Sequence, residues 1–596
     1  MKKRILLGAS YSNIEPLGLL HLAGLARDLG WDRKIHLVRD YDYELFFELV
    51  KDYRPDVIGF NVYTGNHMQT FKAFAKIKKD FPNIITVVGG PHATYFPGDS
   101  SKFADYVVMS EGFNGLRRIL SGEVKPGIIP LKAIEKFPHP DRETFYNDYT
   151  DHANSKIKSV ISMTGCPYSC TYCYNSSSPN DIKDNLPPEV ADMIAQTKGL
   201  SNRLFPHNVR TVNDVIMECA EIAERWPINV IYFQDDVHGF DTKEWLPNMA
   251  LRWKKEVKVP YHAQMRFEMT KNQERLDLLS DAGCFGLTLA IEAADYIIRD
   301  EVLDRKMKDE IIFEGMKALS DRGFKVRTEQ ITGLPYGATT KPTLMNLDAD
   351  LQLLELNIKL REQTNLPTMA WASTLVPYAR TKLGFYCHNY GHYDMTNNNG
   401  DVHDTFFERS IMNFPKEWVG SSLKDRKKDP ALWLHEEELE KYRDKNAELR
   451  RLFNFFAMIP KGHSLARSYL NSAEPFSYER LGRETIKHLE SMNSEGEDIL
   501  SKIKLIEDAI QMHTKVPTEI LYLKELVPYF AVLPKGILAM KRFIDYGRMK
   551  NGLTPTVLST ATRHHLYDEV LYNTGNDNQT LSYGRLAIEG RRLSKV

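Results

Sequence analysis

The chain has 596 residues, 42% of them hydrophobic and 26% charged, with a formal net charge of −1. That length exceeds what one hydrophobic core organises, so two to four domains are expected. The near-neutral balance removes the electrostatic case for nucleic acid or an anionic membrane as partner. Met1-Lys2-Lys3-Arg4 is followed by only Ile5-Leu6-Leu7, too short for a signal-peptide core. No run approaches the ~20 apolar residues of a membrane span. Cys219, Cys284 and Cys387 are too scattered to be a disulfide framework, so a reducing cytoplasm is the expected setting.

In chain order, residues 1–125 alternate short apolar runs with helical patterns. Strands are expected at Arg4–Leu7, Ile35–Val38, Val57–Val62, Ile84–Val88 and Tyr106–Val108. Helices are expected from Leu17 to the stop at Gly30, at Tyr43–Asp52 and at Met68–Lys79. This rhythm predicts a doubly wound parallel sheet of flavodoxin or Rossmann type, whose ligands bind at the carboxyl ends of the strands. Three segments fall there: Gly8 to Asn13 with Ser10 and Tyr11, Asn61 to Gly65 with Tyr63 and Thr64, and Gly89-Gly90-Pro91-His92.

Residues 126–155, with Pro138-His139-Pro140 and a polar run from Tyr146 to Ser155, are expected to be a linker. Beyond them, Cys166-Pro167-Tyr168-Ser169-Cys170-Thr171-Tyr172-Cys173 follows a β-rich run, Ile157 to Met163. Three thiolates on one tight loop can hold three irons of a cubic cluster and leave the fourth without a protein ligand. A structural zinc knuckle would need a fourth ligand nearby, and His152 and His207 are poorly spaced for it. From 156 to 390 the βα rhythm continues with strands expected at Asn229–Gln234, Tyr261–Met265, Phe285–Ile291, Lys325–Thr332 and Thr368–Leu375. With the run before the cysteines these make six parallel strands, and chemistry in such barrels sits at the strands' carboxyl ends. Asp235, Asp236, Arg266, Glu268, Glu292, Gln330 and Thr332 lie at those ends. Either aspartate could instead cap the next helix. Cys219 shares a helical face with Val212, Val215 and Ile222 and is expected in the core.

The cysteine loop resembles that of the radical S-adenosylmethionine (SAM) superfamily. The segments Pro16-Leu17-Gly18, Pro55-Asp56-Val57-Ile58-Gly59 and Val88-Gly89-Gly90-Pro91-His92-Ala93 resemble the cobalamin (B12)-binding domain that precedes the radical core in one subfamily. That resemblance implies an open (β/α)6 TIM-like barrel and three cofactors: a [4Fe-4S] cluster on Cys166, Cys170 and Cys173, S-adenosylmethionine, and cobalamin. It implies reductive cleavage of SAM to a 5′-deoxyadenosyl radical, with electrons from a flavodoxin or ferredoxin. It places SAM near Tyr172, Glu292 and the turn Gly333-Leu334-Pro335, with Arg266 on its carboxylate. Gln234-Asp235-Asp236 stands where the family has Gly-Gly-Glu for the SAM amino group. Ser110-Glu111-Gly112-Phe113 stands in place of a Gly-Glu-Gly-Glu run, with Glu111 at the cobalamin site. Residues 8–18 lack the histidine that ligates cobalt from below in base-off binders, a departure that favours methyl donation to a radical. Val376-Pro377-Tyr378-Ala379-Arg380-Thr381 resembles a turn that closes such cores, which puts Tyr378 at the substrate mouth.

Residues 391–596 read as a mainly helical cap. Asn397-Asn398-Asn399-Gly400 breaks the pattern, then helical stripes follow at Glu436–Phe456 and Asp498–Gln511, and the tail after Arg563 is polar. A cap over the mouth would keep water from radical chemistry, and deletion of 400–596 would then spare SAM cleavage. The expected activity is methyl transfer to an unactivated sp3 carbon of a small-molecule or natural-product substrate. The alternatives are a radical cyclisation, rearrangement or oxidation without methyl transfer, and a non-catalytic cobalamin or cluster sensor.

Overall fold

The computed structural model describes residues 2–500 apart from 13, 40–41, 132–133, 135, 197–202, 394–408, 419–428, 493–495 and 498–499. Asn13, the Asn397–Gly400 break, most of the second C-terminal stripe and the polar tail lie outside the described residues.

The first sheet is built from β1 (Arg4–Ser10), β2 (Asp32–Val38), β3 (Val57–Asn61), β4 (Ile85–Gly89), β5 (Tyr106–Val108) and β6 (Gly127–Ile129), in the order β2-β1-β3-β4-β5-β6. Every pairing is parallel. The sixth strand escapes sequence patterning because it is three residues long and opens on Gly127. The order reverses between β1 and β3, so a crevice opens at their carboxyl ends. Apolar side chains fill both faces, with Leu7 and Ile5 towards one core and Leu6 and Ile58 towards the other, as expected for a parallel sheet covered on two sides.

The segment expected as a linker is part of the packing between domains. It forms helices Arg142–Asp148 and Thr150–Asn154, the first capped by Asp141, whose carboxylate accepts from Thr144 N–H at 3.2 Å. Arg142 is 3% exposed and joins all three parts of the seam. Its guanidinium reaches Glu15 Oε1 at 3.1 Å, Glu218 Oε1 at 2.6 Å and the Ser159 carbonyl at 2.6 Å. Polar composition suggested a linker because these charged residues look solvated in isolation, whereas in the fold they neutralise one another.

The second sheet contains β7 (Ile157–Val160), β10 (Val230–Phe233), β11 (Tyr261–Met265), β12 (Cys284–Glu292), β13 (Lys325–Thr332) and β14 (Met369–Thr374), paired in sequence order and all parallel. These are the six strands expected. The run to Met163 is not one strand: β7 stops at Val160, and β8 (Met163–Thr164) turns aside to pair antiparallel with β9 (Asn208–Val209). Thr211 caps the helix Val212–Arg225, accepting from Asp214 N–H at 3.1 Å, and Cys219 is fully buried in its apolar face.

The boundary expected near residue 390 does not separate cores. Helix Glu436–Met458 buries Leu449, Leu452, Phe453 and Phe456 in the same cluster as the barrel strands. Asn454 Oδ1 accepts the Ala370 N–H at 2.9 Å, occupying a donor on the outermost strand β14. The described C-terminal helices therefore close the barrel's edge, a position that satisfies exposed ladder groups; the expected cap over the mouth is corrected to that extent.

Candidate active site

The cysteine loop begins at Gly165, which has φ +67° and sits so close to the next segment that a Cβ would lie 2.5 Å from the Pro206 carbonyl oxygen. Only glycine fits there. The loop then carries Cys166, Cys170 and Cys173 past the mouth of the barrel, all three as free thiols. Burial pushes Cys166 up to about 11 and Cys173 up to about 12, with the Asp236 charge adding to both. Iron, by binding the deprotonated form, would offset that cost. Among the described residues no three ligating side chains converge on one ion. A cluster takes each thiolate on a separate iron, so the donor set suits it.

Two arginines that spacing alone does not single out surround the site. Arg203 donates to the carbonyls of Pro167 (3.0 Å), Tyr168 (2.7 Å) and Asn175 (3.2 Å), to the Cys166 carbonyl, and to Ser169 Oγ (3.1 Å). Arg305 meets Tyr172 OH at 2.9 Å, Glu292 Oε1 at 3.4 Å and the Ala290 carbonyl at 2.8 Å. Tyr172 in turn donates to Glu292 at 2.5 Å. Glu292 ends β12 with φ +67°, at a register shift opposite Gln330. Left-handed backbone on a side-chain-bearing residue costs about 1–3 kcal/mol and concentrates at functional sites. Burial raises the Glu292 carboxyl and Arg305 opposes that rise.

The aspartate pair separates. Asp235 is fully buried, and its oxygens accept from Ser162 N–H (2.6 Å), Ser162 Oγ, Met163 N–H (3.1 Å) and His238 Nδ1 (2.7 Å). A carboxylate offers about four acceptor sites, so Asp235 has none left for SAM. It ties β10 to the entry of the cysteine loop and caps no helix. Asp236 is open to water within the recess yet ringed by protein, which pushes its carboxyl up to about 6.

Arg266 also departs from the expected SAM carboxylate contact. Its Nε meets Glu268 at 3.2 Å, Nη2 meets Glu268 and the Arg305 carbonyl, and Nη1 donates to Cys170 Sγ at 2.8 Å. Gly333 N–H is taken by Asp350 Oδ1 at 3.0 Å, and Asp350 is held by Asn446 and Tyr442 of the C-terminal helix. Leu334 and Pro335 are buried behind that turn.

The first domain faces this mouth. Glu111, just before helix Gly112–Leu120, lies opposite Thr164 and within electrostatic reach of Asp236; burial, reinforced by Asp236, pushes it up to about 7. Thr64, whose hydroxyl meets His92 Nδ1 at 3.0 Å, faces Tyr174. Tyr95 OH donates to the Tyr174 carbonyl at 2.5 Å, and the rings of Tyr95, Tyr174 and Tyr378 follow at 4.4 and 5.0 Å. Asn61 Nδ2 contacts Tyr63 OH at 3.2 Å, and Tyr63 is 48% exposed at the sheet end. Gly90, with φ +89°, lets Asn61 pack where a Cβ would stand 1.9 Å from its Oδ1, which keeps the backbone after Gly89 close to the crevice. Ser10 accepts from Asn66 at 2.5 Å, and Tyr11 lies under the Arg39 guanidinium at 3.8 Å. His92 is stacked between His67 (4.0 Å) and Phe96 (4.8 Å), and burial lowers it to about 2, a neutral ring that shapes the crevice wall. The hydroxyl and amide groups of Ser10, Asn61, Tyr63 and Thr64 at this sheet end suit a large cofactor held by hydrogen bonds.

Fold and site together define an enzyme with two cofactor-binding domains: an open parallel barrel with a three-thiol loop at its mouth, facing the ligand end of a doubly wound domain. The chain is a radical SAM enzyme with a B12-binding domain. Residues 3–120 match the B12 binding domain family, and residues 160–338 match the radical SAM superfamily. These domains take cobalamin, a [4Fe-4S] cluster and S-adenosylmethionine. An uncharacterized methyltransferase of Pyrococcus horikoshii is 24% identical over 62% of this chain and 78% of its own. Cytidylyl-2-hydroxyethylphosphonate methyltransferase of Streptomyces wedmorensis is 20% identical over 68% and 84%. The cobalamin-dependent radical SAM methyltransferase TokK of Streptomyces tokunonensis is 23% identical over 20% and 22%. No described helix is long and apolar enough to cross a membrane.

Proposed function

We propose that this enzyme transfers a methyl group to an unactivated sp3 carbon of a small-molecule substrate. The observation that carries the reading is the juxtaposition across the seam, where Thr64, Tyr95 and Glu111 of the first domain meet Tyr174, Thr164 and Asp236 at the barrel mouth. A substrate carbon held there lies between both cofactor sites, which is what proximity catalysis requires. The similarity to enzymes named as methyltransferases supports the same outcome.

When bound, the cluster and SAM supply a hydrogen-abstracting radical, and cobalamin supplies a transferable methyl. The chain's own residues orient and exclude. Cys166, Cys170 and Cys173 would hold the cluster. Asp236, ionised above about pH 6, would accept hydrogen bonds from the SAM ammonium in place of the family's glutamate. Glu292, fixed by Tyr172 and Arg305, would take a ribose hydroxyl. The tyrosine stack ending at Tyr378 screens the junction from water, whose hydrogen-bonding would compete with these contacts. The electron donor is proposed to be a flavodoxin or ferredoxin.

The test is anaerobic incubation of the reduced holoenzyme with a small-molecule extract and S-[methyl-13C]adenosylmethionine. A product that gains one labelled methyl supports the reading. Product formed together with 5′-deoxyadenosine but without label refutes it, in favour of rearrangement, cyclisation or oxidation.

A further inference from the structure

We propose that Arg203 and Arg266 are positioning residues for the iron–sulfur cluster, Arg203 setting the shape of its loop and Arg266 raising its reduction potential through the Cys170 sulfur.

Arg203 lies 30 residues beyond the last cysteine yet spends its guanidinium on the loop. It gathers the carbonyls of Cys166, Pro167, Tyr168 and Asn175, and Ser169 Oγ. Successive carbonyls normally repel one another; a planar fork of donors lets them point to one side. The backbone that carries the first thiol is thereby held in one shape. Without this brace the loop must reach the same shape only when iron arrives.

Arg266 is locked on every side. Tyr168 covers its face at 4.1 Å, Glu268 grips Nε and Nη2, and the Arg305 carbonyl takes a further Nη2 contact at 3.3 Å. What remains is Nη1, aimed at Cys170 Sγ at 2.8 Å. Reduction adds negative charge that is shared with the ligand sulfurs. A cation donating a hydrogen bond to one of them stabilises the reduced form more than the oxidised form and raises the potential. The inference concerns the cluster alone and stands whether or not the product is methylated.

The experiment is an EPR-monitored redox titration of the reconstituted full-length protein, with iron release to a chelator measured in parallel. In Arg266→Met the reduced-to-oxidised ratio at a fixed ambient potential should fall about tenfold, which for one electron is a drop of about 59 mV. Arg266→Lys should recover part of it. If Arg266→Met retains no cluster, Glu268→Gln serves instead: it removes the negative charge that offsets the guanidinium and should raise the midpoint. Arg203→Gln should release iron about tenfold faster. An unmoved midpoint in the Arg266 and Glu268 variants overturns the role of Arg266, and does so most directly if those variants lose the SAM-induced change in the EPR spectrum. Parental iron retention in Arg203→Gln overturns the role of Arg203.

Discussion

Replacing Glu218 tests whether the two cofactor domains are locked together by buried charge. Glu218 is 1% exposed on helix Val212–Arg225 of the barrel. It accepts from Arg142 Nη2 at 2.6 Å and Arg210 Nη1 at 2.5 Å, and Arg142 continues to Glu15 of the first domain. Burial pushes the Glu218 carboxyl upward, but Arg210 and Arg142 outweigh it and hold the group at about 2 against an ordinary 4.5. A depression of that size corresponds to about 3 kcal/mol favouring the charged form. Removing one member of a buried pair costs about 3–5 kcal/mol, since the partners stay buried and unpaired. Glu218→Ala should therefore lose about 3–5 kcal/mol at pH 7, read by urea unfolding followed through Trp226, whose ring lies 4.9 Å from Tyr146 in the same seam. Because the folded pKa is depressed, the stabilisation is complete above about pH 4.5 and disappears as pH falls through about 2, so the gap between parent and variant should close over that window. The loss should also split unfolding into two transitions as the domains uncouple. A variant within 1 kcal/mol of the parent, with one transition, would refute the latch.

Gly165→Ala should fail to retain iron after anaerobic reconstitution, because a left-handed alanine costs about 1 kcal/mol and its Cβ would meet a backbone carbonyl that cannot rotate away. Normal iron content would count against the tight entry. Glu292→Gln keeps the shape but removes the charge facing Arg305, and 5′-deoxyadenosine formation should drop tenfold or more (about 1.4 kcal/mol); parental turnover would remove Glu292 from the SAM site. SAM affinity should weaken as pH falls below about 6, where Asp236 takes up its proton, and Asp236→Asn should flatten that profile. Truncation before Glu436 should yield insoluble protein, since it uncovers the edge strand β14 and the core around Phe453; a soluble truncated barrel that cleaves SAM would restore the cap reading.

Local pattern carries far in this chain. The six barrel strands follow from apolar runs of strand length, and the three-thiol loop from cysteines only a few residues apart. Those features depend on neighbours in sequence, which is what periodicity and spacing report. The division of labour between Asp235 and Asp236 does not. They are adjacent and chemically identical, and only the approach of Ser162 and His238 exhausts one while the other faces the recess. Arg266 offered a fork suited to a carboxylate, and the fold supplied Glu268 before SAM could. Arg142, Arg203 and Arg305 find most of their acceptors on segments far along the chain, up to 133 residues away for Arg305 and Tyr172. The sequence by itself determined the three-thiol loop and the two parallel sheets. Tertiary structure alone decided that their ligand ends face each other, because that relation is held by contacts such as Glu15 to Arg142 and Tyr95 to Tyr174 that have no local period to read.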